Sequence, residues 1–339
     1  MKNKILTIVV PMYHVELYIG QCLSSFAIPE ILDRIEILVI DDGGKDGSAQ
    51  IAWEFQKNYP DTYRVIHKEN GGHGSTINKG IELAEGKYFK VVDGDDWVDR
   101  EAFVNLVRHL EETDADMVLS NYYWVDYQSG SRKAEVEEIC PGIEYGKTFP
   151  LTEVEDKLFM KMHAITYKTS VIRQQPERLD EHCFYVDVEY VLYPIPYVET
   201  VQFLDLFVYM YRLAVMTQSV SLQGYQKHMQ NHIDVILHLT NFFQEYAKTG
   251  TEGKIDYIGK RIAQMVGDQI TVFMSFPEKD REIRQKFRAF DRELKEKSPE
   301  IYRRSGEESG TLRLFRKMNF KCYAWIARMC KKRNHIGED

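Results

Sequence analysis

The sequence predicts an α/β, Rossmann-like fold, with a mostly parallel sheet flanked by helices and a helical C-terminal region. Three observations lead there. Short β-rich runs alternate with segments of helical spacing over the first 130 residues. Polar residues cluster immediately after those runs, where open parallel sheets bind ligands. Beyond Ser221 the strand signals fade and amphipathic helical patterns take over.

The first strand is "LTIVV" at 6–10. The basic residues ahead of it imitate a secretory leader, but Pro11 cuts the apolar run and no small-residue cleavage site follows. Val15, Tyr18, Ile19, Cys22, Leu23 and Phe26 then fall on one helical stripe. The next strands are "EILVI" at 36–40, "YRVIHK" at 63–68 and "YFKVV" at 88–92. Phe103, Leu106, Val107 and Leu110 mark a further helix ahead of "DMVLSNYY" at 116–123. This βαβα rhythm predicts parallel strands under covering helices. From about 130 to 215 the pattern is less regular. After it, "YQKHMQNHIDVILHLTNFFQEY" and "YIGKRIAQMVGDQITVFMSF" read as two amphipathic helices, and 278–297 as another. A soft boundary near 222 divides a domain at 1–221, with halves 1–125 and 126–221, from a helical region at 222–339.

The composition narrows the function classes. A length of 339 residues accommodates about two domains. The formal net charge of −8 argues against a general nucleic-acid binder. No segment approaches the roughly 18 consecutive apolar residues of a membrane-spanning helix. Five scattered cysteines, odd in number and without a CxxC pair, indicate neither a disulfide framework nor a zinc site and fit a reducing cytoplasm.

The chemistry concentrates at four strand ends: Pro11 and Tyr13, Asp41 and Asp42, Lys68 and Asn70, and Asp93 to Asp96. In "VVDGDDW", three carboxylates crowd the end of a buried strand, an arrangement that is unfavourable unless a cation compensates it. Asp93 and Asp95 project from the same side if the segment is extended, and Gly94 leaves room for a ligand. Hard divalent ions take such oxygen donors and retain substrate phosphates as further ligands. The competing reading is a solvated turn that caps the next helix. In "VIDDGGKDGS", capping accounts for Asp46 but not for two aspartates ahead of the glycines. "KENGGHGSTINKG" has neither P-loop nor GxGxxG spacing, although the amides of Gly71, Gly72 and Gly74 precede a helix and can approach an anion. In "YVDVEYVL", Asp187 and Glu189 lie on one side if extended, and the apolar neighbours can raise one carboxylate toward a useful general base. His228 and His232 are four apart on a helix, but Met229 stands where an HExxH motif needs glutamate.

"LTIVVPMYHVELYIGQCLSSF", "EILVIDDGGKDGS" and "NGGHGSTINKGIELAEGKYFKVVDGDDW", in that order and spacing, resemble family 2 glycosyltransferases, which implies the GT-A type of this fold, across roughly residues 4–125. The resemblance extends weakly to "YVDVEYVL" and "YRLAVMTQSVS". It implies an inverting enzyme of the hexosyl- or N-acetylhexosaminyl-transferase class that moves a sugar from a nucleotide diphosphate donor, a UDP-sugar, to an acceptor hydroxyl. Mn2+ or Mg2+ is the implied cofactor, and a glycan or lipid-linked molecule of surface polysaccharide or glycolipid assembly the implied acceptor. By the same likeness Pro11, Tyr13 and Asp42 line the nucleoside pocket, and residues 1–125 form the nucleotide-sugar half and 126–221 the acceptor half. Asp93 and Asp95 match the metal and ribose motif, with Asp96 extending it; Asp95 and Asp96 both stay candidates for the direct ligand. Asp187 matches the catalytic base, with Glu189 and Glu181 as fallbacks, and Arg212 a residue that closes over the diphosphate. Val186 departs from the family pattern, which has glutamate before that aspartate, and so keeps open a catalytically silent relative that binds nucleotide sugar or glycan as a partner module.

The segment 311–333, "TLRLFRKMNFKCYAWIARMCKKR", reverses the acidic balance of the chain. Leu312, Phe315, Met318, Cys322, Trp325, Ile326 and Met329 form one stripe of a continuous helix, and Arg313, Lys317, Lys321, Arg328 and Lys332 another. Such a helix either packs its apolar stripe on the protein or lies in an anionic bilayer surface. The expected location is cytoplasmic, peripheral on the inner face of the cell membrane.

Overall fold

The computed structural model describes residues 4–126, 129–135, 140, 142–213, 222–321 and 323–333. The chain forms two compact units, Met1–Met216 and Thr217–Asp339.

The first unit opens with β1 (Leu6–Met12), α1 (Glu16–Phe26), β2 (Ile35–Asp41), α2 (Ser48–Asn58), β3 (Tyr63–His67), α3 (Gly72–Leu83) and β4 (Tyr88–Val91). Their strands lie in the order β3-β2-β1-β4, all parallel. Every residue of β1 and β2 is buried. That is why these strands are continuous apolar runs and do not alternate. α1 packs Ile19, Cys22, Leu23 and Phe26 inward.

The unit continues with β5 (Trp97–Val98), α4 (Arg100–Glu112), β6 (Met117–Asp126), β7 (Arg132–Glu135), β8 (Thr148–Pro150), β9 (Ile165–Lys168), α5 (Thr169–Ile172), α6 (Asp187–Leu192) and β10 (Thr200–Leu213). β9 lies antiparallel between β4 and β6, and β10 runs parallel to β6 on its other side. α4 buries Phe103, Leu106, Val107 and Leu110, and Asp99 caps it by accepting from the Ala102 N–H.

Two local expectations change. β1 runs through Pro11 to Met12 and does not stop before the proline. The Val9 carbonyl accepts from Val92 on the β4 side, and Pro11 faces that side two residues later, past the last β1–β4 pair. Its missing N–H therefore removes no ladder bond. The stretch around Asp187 is a helix, not an extended segment. Residues two apart on a helix face different ways, so Asp187 is exposed while Glu189 is fully buried.

The second unit contains α7 (Leu222–Lys227), α8 (Met229–Tyr246), α9 (Glu252–Ser275), α10 (Arg281–Lys297), α11 (Pro299–Glu308), α12 (Gly310–Lys317) and α13 (Tyr323–Arg333). The first expected helix is thus divided at His228. His232 is buried and its Nδ1 sits 2.8 Å from Gln269 Oε1, a core contact. The expected single helix over 311–333 is also two helices. Asn319 and Phe320 adopt left-handed φ values of 46° and 56°, which ends α12. The break lets the Phe320 ring reach 4.9 Å from Phe287 and 5.7 Å from Phe315, inside the unit. Among the described residues, no helix is long and apolar enough to cross a membrane.

Candidate active site

The first parallel strands deliver their carboxyl ends to one rim, and the aspartates there are held in two different ways. Asp42 follows β2 and is 2% exposed. Its Oδ1 accepts from Lys68 Nζ at 2.7 Å and from the Gly71 N–H at 2.9 Å. Its Oδ2 accepts from Asn70 Nδ2 at 3.0 Å and from the Gly72 N–H at 2.8 Å. The amides that begin α3 therefore already face an anion, and that anion is Asp42. A carboxylate from another strand does the work of an N-cap, which α3's own Gly71 cannot supply. Gly43, at φ 76°, makes the turn behind it. Asp41 is likewise engaged, with Oδ2 2.7 Å from His67 Nδ1.

The end of β4 is different. Asp93 Oδ1 lies 2.7 Å from His73 Nε2, on the first turn of α3. Burial pushes the Asp93 carboxyl up, but the charge and hydrogen bond of His73 outweigh it and hold it below the usual range. Burial pushes His73 down, and Asp93 reverses that and raises it. Asp95 has no such ion pair among the described residues: burial and then Asp93 push it up to about 6. Asp96 is 1% exposed and pushed up well above the usual range by burial, then by Asp95 and Asp93. Its Oδ2 accepts from Tyr209 O–H at 2.6 Å and its Oδ1 from the Arg212 N–H at 2.7 Å. The Tyr209 oxygen in turn accepts from the Asp93 N–H at 3.2 Å. Asp96 thus ties the acidic loop to β10.

Arg212 reaches the same loop. Its Nε donates to the Asp95 carbonyl at 2.6 Å and its Nη2 to Gln21 Oε1 at 2.7 Å, with the guanidinium over Trp97 and Tyr18. At 2% exposure it braces the loop from behind. Tyr13, by contrast, is half exposed beside His14, which has a left-handed φ of 54°. Pro11 is buried in β1.

Three residues were missed from the sequence. His163, from the irregular region, places a donor atom within 4.8 Å of donor atoms of Asp93 and Asp96. Among the described residues its buried Nδ1 has no hydrogen-bond partner, and burial holds its pKa down to about 4, so the ring is neutral at pH 7. Lys90 is fully buried in β4 and donates to the carbonyls of His163 at 2.8 Å and Ile165 at 3.1 Å, pinning the His163 segment to the sheet. Burial pushes its pKa down to about 7. His73 stood in the glycine-rich motif, where only the backbone was read. A lysine inside a four-residue apolar strand was the one available signal for Lys90; nothing local marked His163.

Two carboxylates and a neutral imidazole are a coherent donor set for a divalent ion.

The first residue of α6 is the expected base. Asp187 is exposed at the first turn of α6 and acts electrostatically on His73, Tyr185 and Tyr211. Tyr185, with a left-handed φ of 68°, precedes it by two residues. A bulky residue in that region is strained, a state that persists where its surroundings enforce it. The segment before α6 is docked on α3: Asn78 Nδ2 donates to the Leu179 carbonyl at 2.9 Å, and a Cβ on Gly74 would lie 2.2 Å from the Asp180 carbonyl. Only glycine allows this approach. Of the fallback bases, Glu189 accepts from the Asp180 N–H at 2.8 Å and from Tyr193 O–H at 3.1 Å, and burial pushes it up to about 8. Glu181 is exposed, 3.5 Å from Arg178.

The family model described as "Glycosyl transferase family 2" matches residues 7–177. "Uncharacterized glycosyltransferase EpsJ" of Bacillus subtilis (strain 168) is 36% identical over 154 residues, covering 45% of this chain and 42% of that protein. "Glycosyltransferase GlyG" of Streptococcus pneumoniae is 35% identical over 130 residues, covering 38% of this chain and again 42% of the relative. The chain therefore spans less than half the length of these curated relatives. Among solved structures, S. aureus TarS 1–349 in complex with UDP-GlcNAc superposes with a TM-score of 0.67 at 18% identity, over 97% of this chain and 92% of that one. That likeness establishes a shared fold.

Proposed function

Since the chain belongs to glycosyl transferase family 2, matching its model over half its length, we propose that it transfers a sugar from a nucleotide diphosphate donor to an acceptor hydroxyl with inversion. The observation that carries this reading is the crowded acidic rim: Asp95 and Asp96 with raised pKa beside Asp93, and a His163 ring whose buried Nδ1 has no hydrogen-bond partner among the described residues.

Asp93, Asp96 and His163 would hold Mn2+ or Mg2+, with Asp95 bordering them. When bound, the ion neutralises charge on a leaving diphosphate. Tyr13 offers an exposed ring to the base, and Asp42 shapes the nucleoside pocket indirectly, by fixing 68–72 beneath it. Arg212 and Tyr209 hold the loop in one geometry, so the rim is preorganised. Asp187 is the general base: it takes the acceptor proton as the acceptor oxygen attacks the anomeric carbon in a single displacement. The donor is a UDP-sugar of the hexosyl or N-acetylhexosaminyl class, in keeping with the UDP-GlcNAc bound by TarS. The acceptor is a glycan or lipid-linked molecule of surface polysaccharide or glycolipid assembly, used on the cytoplasmic side of the membrane.

Asp187→Asn keeps the shape and removes the base. We expect turnover of UDP-GlcNAc with Mn2+ to fall roughly 10^2- to 10^4-fold, while calorimetric affinity for UDP with Mn2+ stays at the wild-type value. Undiminished turnover rejects Asp187, and absence of any Mn2+-dependent UDP binding rejects the site.

A further inference from the structure

The two-helix C-terminal segment presents a surface that packing does not explain. Between 310 and 333 the sequence holds eight basic residues and no acidic one, in a chain of net charge −8. α12 buries Leu312 and Phe315, and α13 buries Tyr323, Ile326 and Ala327 against the unit. These side chains complete an aromatic cluster with Phe287 and Phe320. Leu312, Phe315 and Ile326 of the apolar stripe expected from the sequence are thereby consumed, and Cys322 lies outside the described residues. The other three are turned outward: Met318 is 39% exposed, Trp325 61% and Met329 48%. Trp325, Arg328 and Met329 share the outer face of α13, with successive exposed positions at 324, 325, 328 and 329. Arg313, Lys317 and Lys321 are also exposed, while Arg316 is spent inside on Asp291 at 2.8 Å. Arg328 has Glu278 4.0 Å away and is 62% exposed at its side chain.

We propose that this face docks on an anionic lipid bilayer, with Trp325 and Met329 entering the headgroup boundary and Arg313, Lys317, Lys321 and Arg328 facing the lipid charge. Charge complementarity selects the partner. A basic surface alone would serve any polyanion, but an exposed indole four residues from an exposed methionine belongs at a water–hydrocarbon boundary. The helix break at 319–320 is what makes the device: an unbroken helix would commit one stripe either to the core or to the bilayer, whereas the break gives α13 its own orientation. The proposal stands apart from the transfer reaction and survives its failure.

The test is sedimentation of the full chain with vesicles of phosphatidylglycerol and phosphatidylcholine in equal parts, against vesicles of phosphatidylcholine alone. The expected result is binding to the anionic vesicles only, weakened by salt. The pair Trp325→Ser and Met329→Ser should weaken it roughly tenfold or more without lowering the melting temperature, because both side chains already face water. Lys317→Gln with Lys321→Gln should weaken it as well. Equal binding to both vesicle types overturns the proposal. So does binding that is abolished by the lysine pair but untouched by the serine pair, which is the behaviour of a nucleic-acid or other polyanion surface.

Discussion

Two strand ends in the first unit combine the same residue types, "DDGG" at the end of β2 and "DGDD" after β4, and the structure uses them in opposite ways. At the first, Asp42 gathers donors from Lys68, Asn70, Gly71 and Gly72 and is satisfied without a ligand. At the second, three carboxylates share one neighbourhood, only Asp93 has a cationic side-chain partner among the described residues, Asp96 accepts from the neutral Tyr209 O–H and Arg212 backbone N–H, and Asp95 and Asp96 are pushed toward protonation. The lesson is that the count of acidic residues at a strand end says little; what separates a structural hub from a ligand site is whether the fold supplies the compensating donors.

Substitutions can break this contrast. The largest effect is expected at the hub. Asp42→Ala leaves Lys68 without its carboxylate and two helix-initiating amides unpaired, which should destabilise the first unit by roughly 3–5 kcal/mol, read as a fall in the denaturant midpoint with or without Mn2+. A loss confined to Mn2+-containing buffer would put Asp42 with the metal group. At the second site the sign reverses. Asp95→Asn removes a like charge, so the ion-free protein should gain on the order of 1–2 kcal/mol at pH 7, while the stabilisation conferred by Mn2+ with UDP shrinks. A less stable ion-free variant would contradict the repulsion that defines the rim.

The smallest effect sharpens the same point through pH. The folded-state pKa of Asp95, about 6, lies above its unfolded value, so the native state binds the extra proton between about pH 4 and 6. The penalty is fully present above that window and is relieved as pH falls through it. The gain in melting temperature from Asp95→Asn should therefore be larger at pH 7.5 than at pH 5. A gain independent of pH would assign it to packing.

Much of this architecture was legible along the chain. The buried runs of β1, β2 and β4 and the helical stripes of α1 and α4 announce a parallel sheet because their periodicity is a property of consecutive residues. The acidic loop announces itself for the same reason: Asp93, Asp95 and Asp96 are neighbours in sequence. The spacing of 185–192 left strand and helix open, because alternating apolar and acidic residues fit either; the helix puts Tyr190 against Phe89 and Tyr167. The unbroken helix at 311–333 failed because Phe320 is drawn into the aromatic cluster, a contact made across more than thirty residues to Phe287.

The sequence by itself determined the order of strands and helices over the first 125 residues, the acidic residues at the rim and the basic tail, since each rests on local spacing or composition. Tertiary structure alone decided which aspartate is paired and which is exposed to its neighbours' charge, that His163, held by Lys90, joins the rim, and which part of the tail's apolar stripe faces water. Those outcomes depend on donors brought together from distant segments. Electrostatic and burial energies follow distance in space, and distance in sequence does not encode it.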